Sequence, residues 1–141
     1  MVKYIYMKIG VLLSAWFCFF AGSCAAQPVP VKIEVLGTTA TEVKYSVTNN
    51  GQQTCYYYIS LEQNNNNKWE EIALDIDNDA PEKAAVVRKL APKKNQTGIY
   101  LLKNIPVDYQ KKGHPLRFKV TYGPAPDKIA AETRSENFSE K

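Results

Sequence analysis

Apolar and polar residues alternate along most of this chain, and that alternation restricts the fold more than any other feature. Val31, Ile33 and Val35 are separated by charged residues, and the same period recurs in residues 43–48, 55–63 and 116–122. A period of two places alternate side chains on opposite faces of a β-strand. No later segment has the period of an amphipathic helix. The pattern therefore predicts half-buried strands.

Turn-forming residues separate these segments. Asn49-Asn50-Gly51 predicts a turn because Asn and Gly tolerate positive φ, and the four Asn of residues 64–67 predict a solvated hairpin loop. Further strands are predicted at residues 68–74, 84–90, 98–103 and 129–138. Seven or eight short strands at this spacing predict an all-β antiparallel sandwich or barrel, and 141 residues allow one domain.

The first 26 residues have the parts of a signal peptide. Lys3 and Lys8 give a positive start, residues 9–21 form an apolar run of 13, and small residues follow. The run is too short for a permanent membrane span. We therefore predict a cleaved signal peptide over residues 1–26, export, and a β-domain over residues 27–141.

Two cleavage sites are compatible with this segment. Cleavage after Ala26 would give a soluble periplasmic or secreted protein that starts at Gln27. Alternatively, residues 21–24 (Ala-Gly-Ser-Cys) look like a bacterial lipobox, although Ala21 stands where Leu is usual. Cleavage before Cys24 would then make a lipoprotein of the cell envelope, held at the membrane only by acyl chains on Cys24.

Charge and cysteine content limit the partners and the means of stabilisation. The chain has 18 basic and 14 acidic residues, and the basic count falls to 16 without Lys3 and Lys8. So weak a balance argues against nucleic acid as a partner. Cys55 is left without a second free cysteine under either cleavage, so the domain must depend on its core rather than on a disulfide.

Several short motifs together resemble the bacterial immunoglobulin-like domains of exported proteins. They are Tyr-Ser-Val-Thr-Asn-Asn at residues 45–50, Leu61-Glu62 after a Tyr-rich strand, Lys-Trp-Glu-Glu-Ile at 68–72, Leu-Ala-Pro at 90–92 and Leu-Arg-Phe at 116–118. Asn67 stands where that family has a turn Gly, and Leu116 where it has Tyr. The resemblance covers roughly residues 31–138. It implies an immunoglobulin-like sandwich used as a binding, spacer or accessory module.

Catalytic motifs are not found in the sequence. His114 precedes a proline in a Lys- and Gly-containing loop, and Cys55 falls on an apolar strand face, so neither is typical of a nucleophile–base pair. Gly-rich phosphate loops, CxxC pairs and HExxH are missing. We expect no enzymatic activity and no cofactor.

The acidic residues Asp75, Asp77 and Asp79 alternate as at the start of a calcium loop. An EF-hand would then need Gly and Glu at positions where this chain has Ala80 and Val86. These three carboxylates are candidate calcium ligands, with a solvated acidic hairpin as the alternative.

A recognition surface is predicted from strand pairing. If residues 55–62 and 116–122 are neighbouring strands, Tyr56, Tyr58, Arg117 and Lys119 share one outward face. The sequence thus predicts a non-catalytic binding module that engages a protein or glycan through this face or an edge strand. Simple cross-strand stabilisation is the structural alternative. The alternative function is an inhibitor or immunity-type protein that blocks an enzyme through the acidic loop. The sequence does not indicate an oligomeric state.

Overall fold

The computed structural model describes residues 30–76 and 85–140, and this part of the chain is all-β, as predicted. Its eight strands are β1 (Val31–Thr38), β2 (Glu42–Asn49), β3 (Cys55–Asn65), β4 (Lys68–Ala73), β5 (Arg88–Leu90), β6 (Asn95–Leu101), β7 (Leu116–Gly123) and β8 (Ala131–Arg134). Two short 3-10 turns, Leu102–Asn104 and Val107–Tyr109, lie between β6 and β7. The predicted signal peptide, including Cys24, lies outside the described residues. Within them, no helix has the length and apolar character needed to cross a membrane.

The strands form two antiparallel sheets. The three-stranded sheet has the order β1-β2-β6, and the five-stranded sheet has the order β4-β3-β7-β8 with β5 also paired to β3. The β3–β7 ladder is the longest-range one, and it sets Tyr58 opposite Thr121 and Ser60 opposite Lys119. The predicted adjacency of these two strands is therefore confirmed.

One hydrophobic core joins the two sheets. Phe118 of β7 is fully buried, and its ring lies 5.1 Å from that of Tyr45 on β2 and 6.2 Å from that of Tyr100 on β6. The apolar face predicted for β3 is buried, and it ends at Cys55, a free cysteine. The packing of two sheet faces around such a cluster is that of a sandwich-like fold.

The Asn-rich turns form for two different reasons. Asn66 and Asn67 connect β3 to β4 with φ of 53° and 65°, so the turn takes two of the four Asn and the strand takes the others. Asn tolerates this left-handed conformation, which explains how Asn67 replaces a turn Gly. Asn49 instead fixes the β2–β3 turn with its side chain, which accepts the Gly51 N–H at 2.9 Å and donates to Leu90 O at 3.0 Å.

Three predicted strand boundaries were wrong. β6 begins at Asn95 rather than at residue 98. Residues 95–97 are polar and exposed, and it is their pairing with β2 that holds them in the strand. In the described part of the predicted segment 84–90, residues 85–90, only Arg88–Leu90 is a strand, and Val86 is 52% exposed. The last strand is shorter than residues 129–138, although Phe138 returns as an isolated bridge to Leu116.

Candidate binding face on the five-stranded sheet

The four residues predicted to form a recognition surface lie on the outward face of the five-stranded sheet, hereafter the outer face. Tyr56 and Tyr58 are half-buried on β3, and Arg117 and Lys119 are half-buried on β7. The register brings them together only in part. In the β3–β7 ladder, Arg117 lies opposite Glu62 near one end, whereas Tyr56 lies opposite Gly123 at the other end.

Glu62 is the centre of an ionic cluster on this face, which was not predicted. One oxygen of its buried carboxylate accepts hydrogen bonds from Arg117 Nε at 2.6 Å and from Arg134 Nε at 3.3 Å. The other oxygen lies 3.8 Å from Lys119 Nζ. The sequence signal for Glu62 was its place on the outward side of β3, but the arginine of β8 could be assigned only once the sheet order was known.

Lys119 connects Glu62 to the neighbouring strands. Its Nζ lies 2.6 Å from Glu71 of β4 and 4.0 Å from Glu132 of β8. Glu132 in turn accepts from Arg134 at 2.9 Å. The cluster thus balances three cations with three carboxylates across four strands, so both predicted cations already have anionic partners within the fold.

The charged states of this cluster are stabilised by their neighbours. Burial alone would raise the pKa of Glu62, but the hydrogen bonds and positive charges of Arg117 and Arg134 outweigh it and hold that pKa below its usual value. Burial alone would lower the pKa of Lys119, but Glu71, with smaller contributions from Glu132 and Glu62, raises it overall. Each group is held in its charged form over the neutral pH range.

Aromatic rings lie at both ends of the cluster. The Arg117 guanidinium carbon stands 3.9 Å from the ring centre of Trp69 on β4, which is cation–π geometry. Tyr56 and Tyr58 lie toward the other end of β3. Between the two ends lie the small residues Ser60 and Thr121, and both are buried. The outer face is therefore close-packed, with aromatic ends and a charged but balanced centre.

Asp75, one of the three candidate calcium ligands, has protein partners. Its side chain is only 1% exposed, accepts the Val86 N–H at 2.8 Å and lies 3.3 Å from Arg88 Nη1. Asp77 and Asp79 lie outside the described residues. Within residues 30–76 and 85–140, no three acidic, His or Cys side chains are grouped to hold a metal ion. Calcium binding by Asp75, Asp77 and Asp79 stays a prediction.

Cys55 and His114 lie too far apart to act as a nucleophile and a base. Cys55 begins β3, whereas His114 Nδ1 lies 3.0 Å from Asn65 Oδ1 at the end of the same strand. A strand of that length separates the two side chains by roughly 30 Å. Burial raises the pKa of the Cys55 thiol, so the thiol form is favoured. His114 has a structural role in this position.

Comparisons with known proteins do not assign this chain to a family. No protein-family model matches the chain, and no curated protein does. Two solved structures of a β-glucosidase from Kluyveromyces marxianus, one in complex with glucose and one labelled with selenomethionine, share 14% identity with it at a TM-score of 0.32. The alignments cover 79% and 77% of this chain but only 14% and 15% of the β-glucosidase chains. A likeness at this level carries no argument about fold or activity.

Proposed function

We propose that this protein is an exported, non-catalytic binding module with an immunoglobulin-like β-sandwich, which engages a protein or glycan partner of the bacterial cell envelope through its outer face. The observation that carries the proposal is the Glu62-centred cluster between Trp69 and the two tyrosines. An ionic cluster that ties four strands together holds the neighbouring rings in fixed positions before any partner arrives. Preorganisation of this kind lowers the entropic cost of binding.

The composition of the face favours some partners over others. The three cations of its central cluster are matched by three carboxylates, so the cluster has no excess positive charge with which to attract phosphates. Tyr and Trp rings instead offer flat apolar surface together with a polar group, which suits the stacking of a sugar ring or contact with a protein side chain. Nucleic acid is therefore not the proposed partner.

The decisive experiment compares partner binding by the wild type and a Tyr56→Ser/Tyr58→Ser variant. Both would be immobilised and tested against envelope extracts and a glycan array. The matched control is Leu36→Ser/Val107→Ser, which removes exposed apolar groups elsewhere on the described surface. We expect a partner that the wild type and the control retain and that the tyrosine variant loses. Equal binding by all three equally folded proteins would disprove a role for the face.

Anchoring is tested separately. A lipidated Cys24 would send the protein into the detergent phase on Triton X-114 partitioning, and Cys24→Ala would return it to the aqueous phase. If the wild type stays in the aqueous phase, the lipoprotein proposal fails and cleavage after Ala26 is favoured. This outcome leaves the binding proposal unaffected.

A further inference from the structure

The free edge of the three-stranded sheet is unusually unprotected. β6 pairs with β2 on one side, and no described strand pairs with its other side. Its seven residues, Asn95–Leu101, include no charged residue and no proline, and its register with β2 continues without a bulge. Natural sheets block exposed edges with charges, prolines, bulges or very short strands. β6 has none of these features.

The other sheet edges in the described part of the chain are protected. β1 carries Lys32 and Glu34, and its register shifts between Val35 and Gly37. β8 has four residues, two of them charged, and β5 has three residues, two of them charged. β4 has three charged residues and a register shift opposite it in β3. The absence of such protection is therefore specific to β6.

The phase of the ladder shows which backbone groups of β6 face outward. The Asn49 N–H donates to Lys94 O and the Leu102 N–H to Thr41 O, each at 2.9 Å. In an antiparallel ladder these bonded pairs alternate with unbonded ones, so residues 96, 98 and 100 bond to β2. Residues 95, 97, 99 and 101 consequently direct their N–H and C=O groups away from β2. These groups match the spacing of an added strand.

A groove runs beside this edge. It has a volume of about 460 Å³ and lies between β5 and β6, with Tyr45 and Tyr57 among its lining residues. Gly98 has no room for a side chain because the Tyr45 phenol occupies the place of its Cβ. The groove thus has the β6 backbone along one side and the cationic pair Arg88 and Lys89 along the other.

Positive charge surrounds the uncharged strand. Lys93 and Lys94 precede it, Lys103 follows it, and Lys44 lies directly opposite Ile99 on β2. Among the described acids near the strand, Glu42 lies opposite Leu101 in the β2–β6 register, and Asp75 is in an ion pair with Arg88. An occupant with acidic residues at its ends complements this distribution.

A second copy of the chain fits this edge less well. Antiparallel self-pairing centred on Gly98 would use all four outward residues of each strand. The same register would bring the lysines that flank β6, Lys93 and Lys94 of one copy and Lys103 of the other, near each other at each end. Like charges brought close together oppose association, so self-pairing is disfavoured at both ends.

We propose that β6 is a docking edge that accepts an extended acidic segment of a protein partner as the fourth strand of the three-stranded sheet. Main-chain hydrogen bonds from residues 95, 97, 99 and 101 would supply affinity, and the flanking lysines would select acidic ends. This site lies on a different sheet from the outer face, and the two proposals stand or fall separately.

The probe is a synthetic peptide of alternating Val and Thr with two acidic residues at each end, and the control peptide has Lys at those ends. We expect the acidic peptide to bind and to slow amide hydrogen exchange at Thr97 and Ile99. The lysine-ended peptide should bind at least about tenfold more weakly, because it repels the flanking cations. Binding that slows exchange on the outer face instead would overturn the proposal.

The matched protein variants are Thr97→Pro and Thr97→Ala. Proline removes one outward N–H while leaving the β2 ladder intact, and it is tolerated at strand edges. We expect about tenfold weaker peptide binding in Thr97→Pro than in Thr97→Ala. Equal affinity in both variants would contradict strand addition.

Two further measurements complete the test. If Thr97→Pro fails to fold, wild-type protein is titrated with a peptide N-methylated on the side that faces β6, and loss of binding is expected. Tyr56→Ser/Tyr58→Ser should bind the peptide as the wild type does. No peptide binding at millimolar concentration would refute the proposal, as would peptide-independent dimerisation that protects Thr97 and Ile99.

Discussion

The two sheets of this protein use their charged residues in opposite ways. In the five-stranded sheet, charged side chains cross the middle of the outer face and neutralise one another around Glu62. In the three-stranded sheet, lysines surround an uncharged edge strand. Paired charges at the centre of a face fix its geometry, whereas the lysines beside β6 are proposed to meet their carboxylates on a partner. The difference suggests one preformed surface and one surface completed by binding.

The largest expected effect comes from removing the ring that joins the two sheets. Phe118→Ala should lower the free energy of unfolding by about 3–5 kcal/mol, because it leaves a cavity against rings from both sheets. Urea denaturation measures the loss, and amide exchange should accelerate in both sheets together. Val107→Ala, at an 83% exposed position, is the control and should change little. Faster exchange confined to one sheet would show that the two sheets are independent.

The next effect compares an ionic cluster with a surface pair. Glu62→Gln should cost about 2 kcal/mol, since it leaves three cations without their shared carboxylate. Glu34→Gln breaks the exposed pair with Lys32 on β1 and should leave stability nearly unchanged. Equal losses in the two variants would mean that the cluster gives no special stability to the five-stranded sheet.

Low pH should remove the contribution of Glu62 to the free energy of unfolding. The pKa of Glu62 in the folded protein lies below its ordinary value of 4.5, so its contribution to stability is complete above pH 4.5 and is lost as pH falls through the folded pKa. The gap in free energy of unfolding between wild type and Glu62→Gln should therefore shrink from pH 7 toward pH 3. A gap that stays constant would contradict the charged form of Glu62 in the fold.

The smallest effect is expected in the three-stranded sheet and should have the opposite sign. The Tyr100 hydroxyl of β6 is buried without a hydrogen-bond partner among the described residues, and burial raises its pKa to about 12. Tyr100→Phe should therefore leave stability unchanged or raise it by up to about 1 kcal/mol at pH 7.

Alkaline titration tests whether the effect of Tyr100→Phe comes from the buried phenol or only from repacking of the core. Between pH 10 and 12 the wild type should lose stability as the unfolded phenol ionises before the folded one, and Tyr100→Phe should lose less. Tyr58→Phe on the outer face is the control for removing a phenol outside the core. A marked loss of stability in Tyr100→Phe at pH 7 would show that the hydroxyl has a partner.

The sequence predicted the parts of the fold that side chains encode locally. Alternation identified β1, β2, β3 and β7 because each buries one face. It misplaced the start of β6, since Asn95, Gln96 and Thr97 resemble a loop and are held in a strand only by pairing with β2. The resemblance to immunoglobulin-like domains also stays a proposal, because alternation does not determine strand order.

For the candidate site, too, the sequence predicted only what is encoded locally. The outward position of the four predicted residues follows from the period of each strand. Their partners do not, because Glu62 and Arg134 are 72 residues apart and meet only through the order of β3, β7 and β8. Trp69 was recognised as part of a hairpin, but its contact with Arg117 depends on register across two ladders. Pairing between residues this far apart is not encoded in the local pattern of the sequence.

The position of β3 has a consequence for how the chain folds. β3 pairs with β4, β5 and β7, and its bonds to β7 join residues 59 positions apart, as between Ser60 and Lys119. The β1–β2 hairpin closes over a few residues, but the middle of the five-stranded sheet cannot assemble until β7 is present. Closing so long a loop is slow, and folding on the order of milliseconds to seconds is expected. A chain interrupted before residue 116 would leave β3 with an unsatisfied edge and a strong tendency to aggregate.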